Sequence, residues 1–147
     1  MQKGGNRIMN TFNPVVEKLR ESGIQPTHQR IIILDYIMKQ EGHPTADEIN
    51  RVLQKESPAL SKATVYNTLK LFTQKGLIHM IATNQDENRY EIADHPHGHF
   101  ICSKCSHIYD IELKPDSVIS DDLTGFTVED TQLLIKGICP KCSPDNK

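Results

Sequence analysis

The chain has 147 residues, of which 37% are hydrophobic and 24% charged, and its net charge is −2 with neutral histidines. This length can form one domain or two small ones, and the chain has no apolar run long enough to span a bilayer. The opening stretch "MQKGGNRIMNTFNP" lacks the apolar core of a secretion signal, so we expect a cytoplasmic protein with no membrane partner.

The charge is distributed unevenly along the chain. Residues 1–80 contain 11 Lys and Arg against 7 Asp and Glu, whereas residues 81–147 contain 6 against 12. A mildly basic first part favours contact with a polyanion there rather than in the acidic second part. The asymmetry indicates separate roles for the two parts.

Four helices are predicted in the first part. "NPVVEKLRESG" has one apolar face and stops at Gly23, and "THQRIIILDYIMKQEG" has Thr27 as its N-cap and breaks at Gly42. Thr45 and Glu48 have capping-box spacing at the start of "TADEINRVLQKES". The inward stripe of this third helix is expected at Ile49, Val52 and Leu53.

The fourth helix, "KATVYNTLKLFTQKG", follows Ser61 as its N-cap, and a tight turn joins it to the third in a helix-turn-helix outline. Two strand-like runs, "LIHMIAT" and "NRYEIA", then surround the polar turn "NQDEN". This order predicts a winged-helix DNA-binding domain over residues 1–93, with the fourth helix in the major groove. Its inward-facing residues are expected to be Val65, Leu69 and Phe72.

The outward side of the fourth helix carries groups that can contact DNA. Asparagine can read adenine, tyrosine and threonine can hold phosphates, and lysine can do either. The solvated face of an ordinary amphipathic helix has the same pattern, so periodicity leaves both interpretations open. The candidate residues are Lys62, Thr64, Tyr66, Asn67, Thr68 and Lys70.

Residues 94–147 predict a smaller α/β unit. "HFICSKC", "HIYDIEL" and "LLIKGIC" have the character of strands, and "DSVISDDL" predicts a short helix before Gly125. The last residues, "SPDNK", are expected to form a free tail. The whole chain is therefore expected to have an α+β fold.

Four cysteines form two C-x-x-C pairs with 33 residues between the pairs. Two such pairs can complete a closed tetrahedral Zn(II) shell, which has no open position and therefore a structural role. The ion would join the two ends of the folded domain. A redox-active dithiol is the alternative, because either C-x-x-C pair alone could serve as one. The cysteines are Cys102, Cys105, Cys139 and Cys142.

A second metal site is predicted beside the cysteine turn. His97 and His99 share one face of a strand, whereas Cys102 points to the opposite face. The returning strand could present Asp110 beside these histidines, and Glu91 ends the preceding hairpin. Singly, each of these residues fits a solvated surface position, but their clustering favours a ligand set.

Three segments, "HPTADEINRVLQKESPALSKATVYNTLKLFTQKGLI", "RYEIADHPHGHFICSKC" and "GICPKC", resemble the Fur (ferric uptake regulator) superfamily of metal-dependent repressors. The resemblance extends roughly from Val15 to Cys142. It implies a winged-helix domain joined to an α/β dimerisation domain, a homodimer on palindromic operator DNA, and a structural zinc on the four cysteines. In "PTHQR", His28 replaces the family's usual proline, but Arg30 is retained and joins the expected DNA contacts.

The resemblance also implies a regulatory metal between the two domains. Three imidazoles and two carboxylates form a hard-to-borderline shell that suits Fe(II) or Mn(II), although Zn(II) would bind more tightly. A metal held by both domains can stabilise the orientation that binds DNA. The implied ligands are His43, Glu91, His97, His99 and Asp110.

Two residues favour the peroxide-sensing subgroup of the family. Asn67 in "VYNTL" and Asp110 match the peroxide sensors, whereas Glu91 departs from their usual aspartate. The resemblance then implies oxidation of His43 and His97 by peroxide at the iron-loaded site. An iron-, manganese- or zinc-uptake regulator remains the alternative.

Two other classes of function are open. A metal-dependent hydrolase could use the histidine–carboxylate cluster, but it needs a substrate cleft and a general base, and no phosphate or acyl-substrate motif is present. A hydrolase would also leave the winged-helix half unexplained. A metal buffer or zinc-stapled adaptor is the other alternative. A repressor, not an enzyme, is the prediction.

Overall fold

The structure is a computed structural model that describes residues 6–83, 87–95, 97–114 and 120–146. The chain divides into two units, Met1–Ala93 and Asp94–Lys147. The first unit is mainly helical with one hairpin, and the regular structure of the second is mainly strand, so the chain has an α+β fold. Within the described ranges, no helix combines the length and hydropathy that a bilayer crossing requires.

The first two helices are α1 (Asn6–Glu21) and α2 (His28–Lys39). Helix α1 begins well before the predicted start, so Pro14, a residue that ordinarily marks a first turn, lies inside it. Its end is as predicted: Gly23 has a φ of +72°, and the N–H of the next residue, Ile24, donates to the carbonyl of Leu19 at 2.9 Å.

Helix α2 confirms its predicted N-cap but not its predicted end. The Thr27 hydroxyl accepts from the N–H of Arg30 at 3.3 Å. The helix stops at Lys39, before the predicted break at Gly42, because Gln40 already has extended backbone angles.

The next two helices are α3 (Ala46–Leu53) and α4 (Lys62–Gln74). Both hydrogen bonds of the predicted capping box form between Thr45 and Glu48, and the Ser61 hydroxyl accepts from the N–H of Thr64 at 3.1 Å.

Two face assignments in these helices are wrong. Val52 was expected to face inward but is 37% exposed, and Thr68 was expected to face outward but is only 6% exposed. Contacts with neighbouring helices determine which side of each helix is buried, and helical periodicity does not include those contacts.

The helices enclose one apolar core together with a hairpin. Strands β1 (Ile78–Ala82) and β2 (Asn88–Ile92) pair antiparallel, as predicted, and His79 stands opposite Glu91. Residues 84–86 of the predicted turn "NQDEN" lie outside the described residues. The largest fully buried side chains of this core are Leu19, Ile33, Leu34, Ile49, Leu60, Val65, Leu69, Phe72 and Ile78.

The second unit contains a three-stranded sheet with the strand order β4–β3–β5. Its strands are β3 (His97–Cys102), β4 (Ile108–Glu112) and β5 (Leu134–Gly137). Strand β3 pairs antiparallel with β4 and parallel with β5. Few described apolar residues of this unit are buried: Ile101, Cys102, Ile108 and Cys139.

Two details of the second unit differ from expectation. In the region of the predicted helix "DSVISDDL", the described residues form only a 3-10 turn, Asp121–Leu123, and residues 115–119 lie outside the description. The predicted free tail contains a second 3-10 turn, Pro144–Asn146, because a proline favours the first turn of a helix.

Candidate metal centres and DNA-facing helix

The four cysteines meet at one end of the second unit, where the sulfur atoms all lie within 4.8 Å of one another. The Sγ atoms of Cys105 and Cys139 are 3.8 Å apart. A tetrahedral Zn(II) site with Zn–S bonds of about 2.3 Å has sulfur–sulfur edges of about 3.8 Å. The donor set and its spacing therefore fit a zinc ion.

The sheet itself brings the two cysteine pairs together. Cys102 ends β3 and pairs in register with Gly137 at the end of the parallel strand β5, two residues before Cys139. The Cys139 N–H donates to Cys102 Sγ at 3.3 Å, and the Ser103 hydroxyl donates to the carbonyl of Gly137 at 2.9 Å. The pairing of β3 with β5 thus closes the long separation between the pairs.

Hydrogen bonds within the cluster give the thiols different pKa values. Backbone N–H groups of Cys105 and Cys139 lower the pKa of Cys102 to about 6. The Tyr109 hydroxyl, which donates to Cys139, lowers the pKa of that thiol. Hydrogen bonding to Cys139 and Cys105 raises the pKa of Cys142 to about 12. The network thus favours the thiolate at Cys102 and Cys139 and disfavours it at Cys142.

A histidine and a carboxylate meet in the first unit. His43 Nε2 lies 3.0 Å from Glu91 Oε2, and both side chains are largely buried. The loop that carries His43 is fixed to β2: Arg89 Nη1 donates to the carbonyl of His43 at 2.9 Å, and the Tyr90 N–H donates to that of Pro44 at 3.0 Å. These bonds hold the loop before α3 against the end of the hairpin, so the side chains of His43 and Glu91 face each other.

Sequence reasoning missed a further histidine in this group. His79 Nδ1 lies 3.9 Å from Glu91 Oε1, whereas His43 Nε2 lies 3.0 Å from the other oxygen, Oε2. The signal was available, because an antiparallel hairpin of the predicted length places His79 opposite Glu91.

Two histidines and a carboxylate meet in the second unit. Asp110 stands opposite His99 in the β3–β4 register, as the returning strand predicted. Its Oδ1 atom lies 3.6 Å from His99 Nε2 and 3.7 Å from His97 Nε2, and the two imidazole centroids are 4.6 Å apart. Nitrogen and carboxylate donors at this spacing can hold a divalent cation.

Most candidate DNA contacts lie on the exposed side of α4. Lys62, Tyr66, Asn67 and Lys70 are exposed, whereas Thr64 is half-buried with its hydroxyl oxygen 2.8 Å from that of the N-cap residue Ser61. Arg30 is half-buried on α2, and its Nη1 donates to the carbonyl of Gln25 at 3.0 Å.

An acidic residue of α3 lies against this exposed side. Lys62 Nζ is 2.8 Å from Asp47 Oδ1, and the Tyr66 hydroxyl donates to the same oxygen at 3.5 Å. The Asp47 carboxylate raises the pKa of Lys62 through this hydrogen bond. The Asp47 carboxylate is thus an anionic partner shared by these two side chains.

Comparison with known proteins gives consistent results. The model of the ferric uptake regulator family matches residues 21–136. The chain is 36% identical over 131 residues to the peroxide operon regulator of Bacillus subtilis, covering 87% of this chain and 90% of that one. It is 32% identical over 133 residues to the peroxide-responsive repressor PerR of Staphylococcus epidermidis, with coverages of 88% and 89%.

Solved structures show the same relationship. PerR from Streptococcus pyogenes is 33% identical, with a TM-score of 0.51 and coverages of 90% of this chain and 93% of that one. The ferric uptake regulator Fur of Helicobacter pylori has a TM-score of 0.70 at 19% identity, with coverages of 96% and 97%, which shows a shared fold.

Proposed function

This chain belongs to the ferric uptake regulator family, and on that basis we propose that it is a metal-dependent, peroxide-responsive transcriptional repressor. The observation that carries the proposal is the pair of ligand groups: His43 with Glu91 in the first unit, and His97 and His99 with Asp110 in the second. These are the positions at which the family resemblance implies a regulatory metal. At family level such proteins are regulators rather than enzymes.

The cysteine cluster is proposed to hold a structural Zn(II). Its sulfur spacing fits a tetrahedral site, and two of its members are among the few buried apolar residues of the second unit. A unit of this size whose described residues bury so few apolar side chains gains stability from a metal that joins its strands. Four thiolates would leave the ion no open position for a substrate.

The histidines and carboxylates are proposed to hold one regulatory ion jointly. Neither group alone supplies the five donors that the resemblance implies, since the first contributes His43 and Glu91 and the second contributes His97, His99 and Asp110. Imidazole and carboxylate donors without thiolate suit Fe(II) or Mn(II). An ion that requires both units biases their relative orientation, which links metal occupancy to DNA affinity.

The first unit is proposed to be a winged-helix domain that binds operator DNA. Three features support this assignment: α3 and α4 form a helix-turn-helix order, a hairpin follows them, and the outer side of α4 is exposed. In that arrangement α4 enters the major groove, where Asn67 would read bases and Tyr66 would contact phosphate. Lys62, Thr64, Lys70 and Arg30 complete the proposed contact set.

The second unit is proposed to form the homodimer. Strand β5 is at an edge of its sheet, and Leu134 and Ile135 on it are exposed. Phe126 is 70% exposed and Val128 is 54% exposed in the segment before it. An edge strand beside such apolar side chains is suited to a second copy of the same unit. A dimer then matches a palindromic operator.

Peroxide would inactivate the repressor through its own ligands. Fe(II), when bound, supplies the one-electron chemistry that activates peroxide, whereas Mn(II) does not readily do so. In the net step, a ring carbon of His43 or His97 gains one oxygen atom, the other oxygen leaves as water, and the ring gives up two electrons to the peroxide. The altered imidazole binds a cation more weakly, so the metal and then the DNA are released.

An uptake regulator without peroxide sensing is the second candidate, and Glu91 favours it. A glutamate here is longer than the aspartate usual in peroxide sensors, and its carboxylate also faces His79 at 3.9 Å. A change in carboxylate position alters which metal the site prefers and how open it is to peroxide.

A gel mobility-shift experiment distinguishes the classes of function. The probe is a DNA duplex selected from a random library by the Mn(II)-loaded protein. A repressor shifts the duplex with Mn(II) and releases it on chelation, whereas a metal buffer or a hydrolase selects no sequence. Failure of the Mn(II)-loaded protein to enrich any duplex would refute the proposed function.

A further inference from the structure

A third group of possible metal ligands lies at the start of the second unit. One ligand atom from each of Asp94, His95 and His97 lies within 4.8 Å of the other two. The family's regulatory ligands include His97 but neither Asp94 nor His95.

Asp94 orients the ring of His95 for coordination. Its Oδ1 atom accepts from the backbone N–H of His95 at 2.9 Å and lies 2.8 Å from Nδ1 of the same residue. A carboxylate against Nδ1 fixes the neutral imidazole in the tautomer whose Nε2 carries the lone pair. Metal-binding histidines are commonly held in this way.

The ring of His97 connects this group with the regulatory ligands. Its Nδ1 atom lies 2.9 Å from the carbonyl oxygen of His95, while its Nε2 atom faces Asp110 at 3.7 Å. The centroids of the His95 and His97 rings are 5.1 Å apart, and those of His97 and His99 are 4.6 Å apart. Three imidazoles thus form a row from His95 to His99.

Exposure differs sharply along that row. The side chains of His95 and Asp94 are 71% and 57% exposed, whereas those of His97 and His99 are 8% and 10% exposed. A hydrated cation therefore reaches the outer pair without displacing protein atoms, and the inner imidazoles only with difficulty. An outer carboxylate also raises the local concentration of cations.

We propose that His95, oriented by Asp94, forms with His97 a capture site that takes a divalent cation from solution and passes it to His97, His99 and Asp110. The outer site binds weakly, because Asp94 and His95 are solvated, and it acts on the rate of loading rather than on final occupancy. The inference rests on the proposed function only in taking His97, His99 and Asp110 as regulatory ligands.

Stopped-flow mixing of Co(II) with the zinc-loaded full-length chain tests this inference without DNA. At one equivalent, we expect His95→Ala to slow the appearance of the Co(II) absorption bands about tenfold, as expected for loss of local ion capture. Final Co(II) content should be unchanged. Asp94→Asn should slow loading less, and His28→Ala, an exposed histidine of the first unit, should leave it unaltered.

Two results would overturn the inference. An unchanged loading rate in His95→Ala would show that His95 plays no part in metal entry. Loss of final Co(II) content would make His95 a ligand of the regulatory ion itself. Neither result affects the mobility shift of the wild-type protein with Mn(II), so failure of the capture site and failure of the proposed function are distinguishable.

Discussion

At the scale of single residues, hydrogen-bond donors and acceptors determine where the chemistry lies. Cys102 accepts N–H groups that favour its thiolate, and the loop before α3 is bonded to β2 so that His43 meets Glu91. The capping box at Thr45 was predictable because it depends on residues three apart in sequence. His43 was not accessible to periodicity and was placed by the family resemblance alone.

The zinc ligands give the first prediction. Cys102→Ser should lose zinc and the folded dimer together, because three sulfurs cannot hold the strand ends. We expect the affinity for zinc to fall by more than roughly 100-fold. That is the typical loss when a group that is hydrogen-bonded to a metal ligand is removed. Zinc content by atomic absorption and dimer content by sedimentation measure both effects.

Two variants of Cys142 distinguish the loss of zinc coordination from the loss of core packing. Cys102 is fully buried, so its replacement also disturbs the core, whereas Cys142 is half-buried. Cys142→Ser should lose zinc, and Cys142→His should retain it, because imidazole is a competent zinc ligand. A well-folded zinc-free dimer from either serine variant would contradict the structural role.

Asp47 gives the second prediction. Its carboxylate lies 2.8 Å from Lys62 Nζ, so it would compete with DNA phosphate at the contact proposed for Lys62. Asp47→Asn should tighten binding to operator and random duplexes alike by about two- to fivefold, as for an exposed ion pair, and less at high salt. Asp35→Asn, which breaks the Lys39 pair of α2, makes the same charge change and should have a smaller effect. Equal effects would show that only net charge matters.

At the scale of the elements, helix ends and the hairpin were predicted more accurately than the buried faces of the helices. The N-caps at Thr27 and Ser61, the stop at Gly23 and the hairpin all followed from short sequence patterns. The faces at Val52 and Thr68 were wrong because packing against neighbouring helices, not helical period alone, selects what is buried. The α4 surface still presents Tyr66 and Asn67 to solvent.

Helix α4 gives the third prediction. Tyr66→Ala and Asn67→Ala should each weaken operator binding without changing metal content, and Asn67→Ala should also relax sequence preference. A good base contact contributes about 1–3 kcal/mol to discrimination, which sets the expected size of the second effect. Gln74→Ala, exposed near the end of the same helix, is the matched control. Wild-type affinity and selectivity in both variants would exclude α4 as the DNA-reading helix.

At the scale of the whole molecule, one regulatory ion is proposed to link the two units. The first unit has an extensive apolar core of its own, whereas the described residues of the second combine few buried apolar side chains with a cysteine cluster and an exposed apolar edge. The sequence predicted a boundary near Ala93 from the order of helix-turn-helix and hairpin, and separate roles for the two parts from the charge asymmetry. The pairing of histidines with carboxylates depended on strand register and loop bonding, which the sequence predicts only in part.

His43 gives the fourth prediction. His43→Ala should keep zinc and dimer but lose metal-activated DNA binding, because it removes the one imidazole ligand proposed from the first unit. The loss should be about 5- to 150-fold, the usual range of an allosteric coupling. Glu41→Gln, an exposed change in the same loop, is the control. Normal activation by Mn(II) in His43→Ala would show that the units are not coupled through this ligand.

The most direct test of the central claim is operator binding by the Fe(II)-loaded protein before and after a low dose of peroxide, with Mn(II)-loaded protein in parallel. Fluorescence anisotropy of the selected duplex provides the measurement. We expect the iron form to lose its affinity irreversibly and the manganese form to retain it, with one added oxygen atom on the peptides carrying His43 or His97 only in the iron form. Unaltered DNA binding by the iron form, with no histidine oxidised, would contradict peroxide sensing and identify the protein as a metal-uptake regulator.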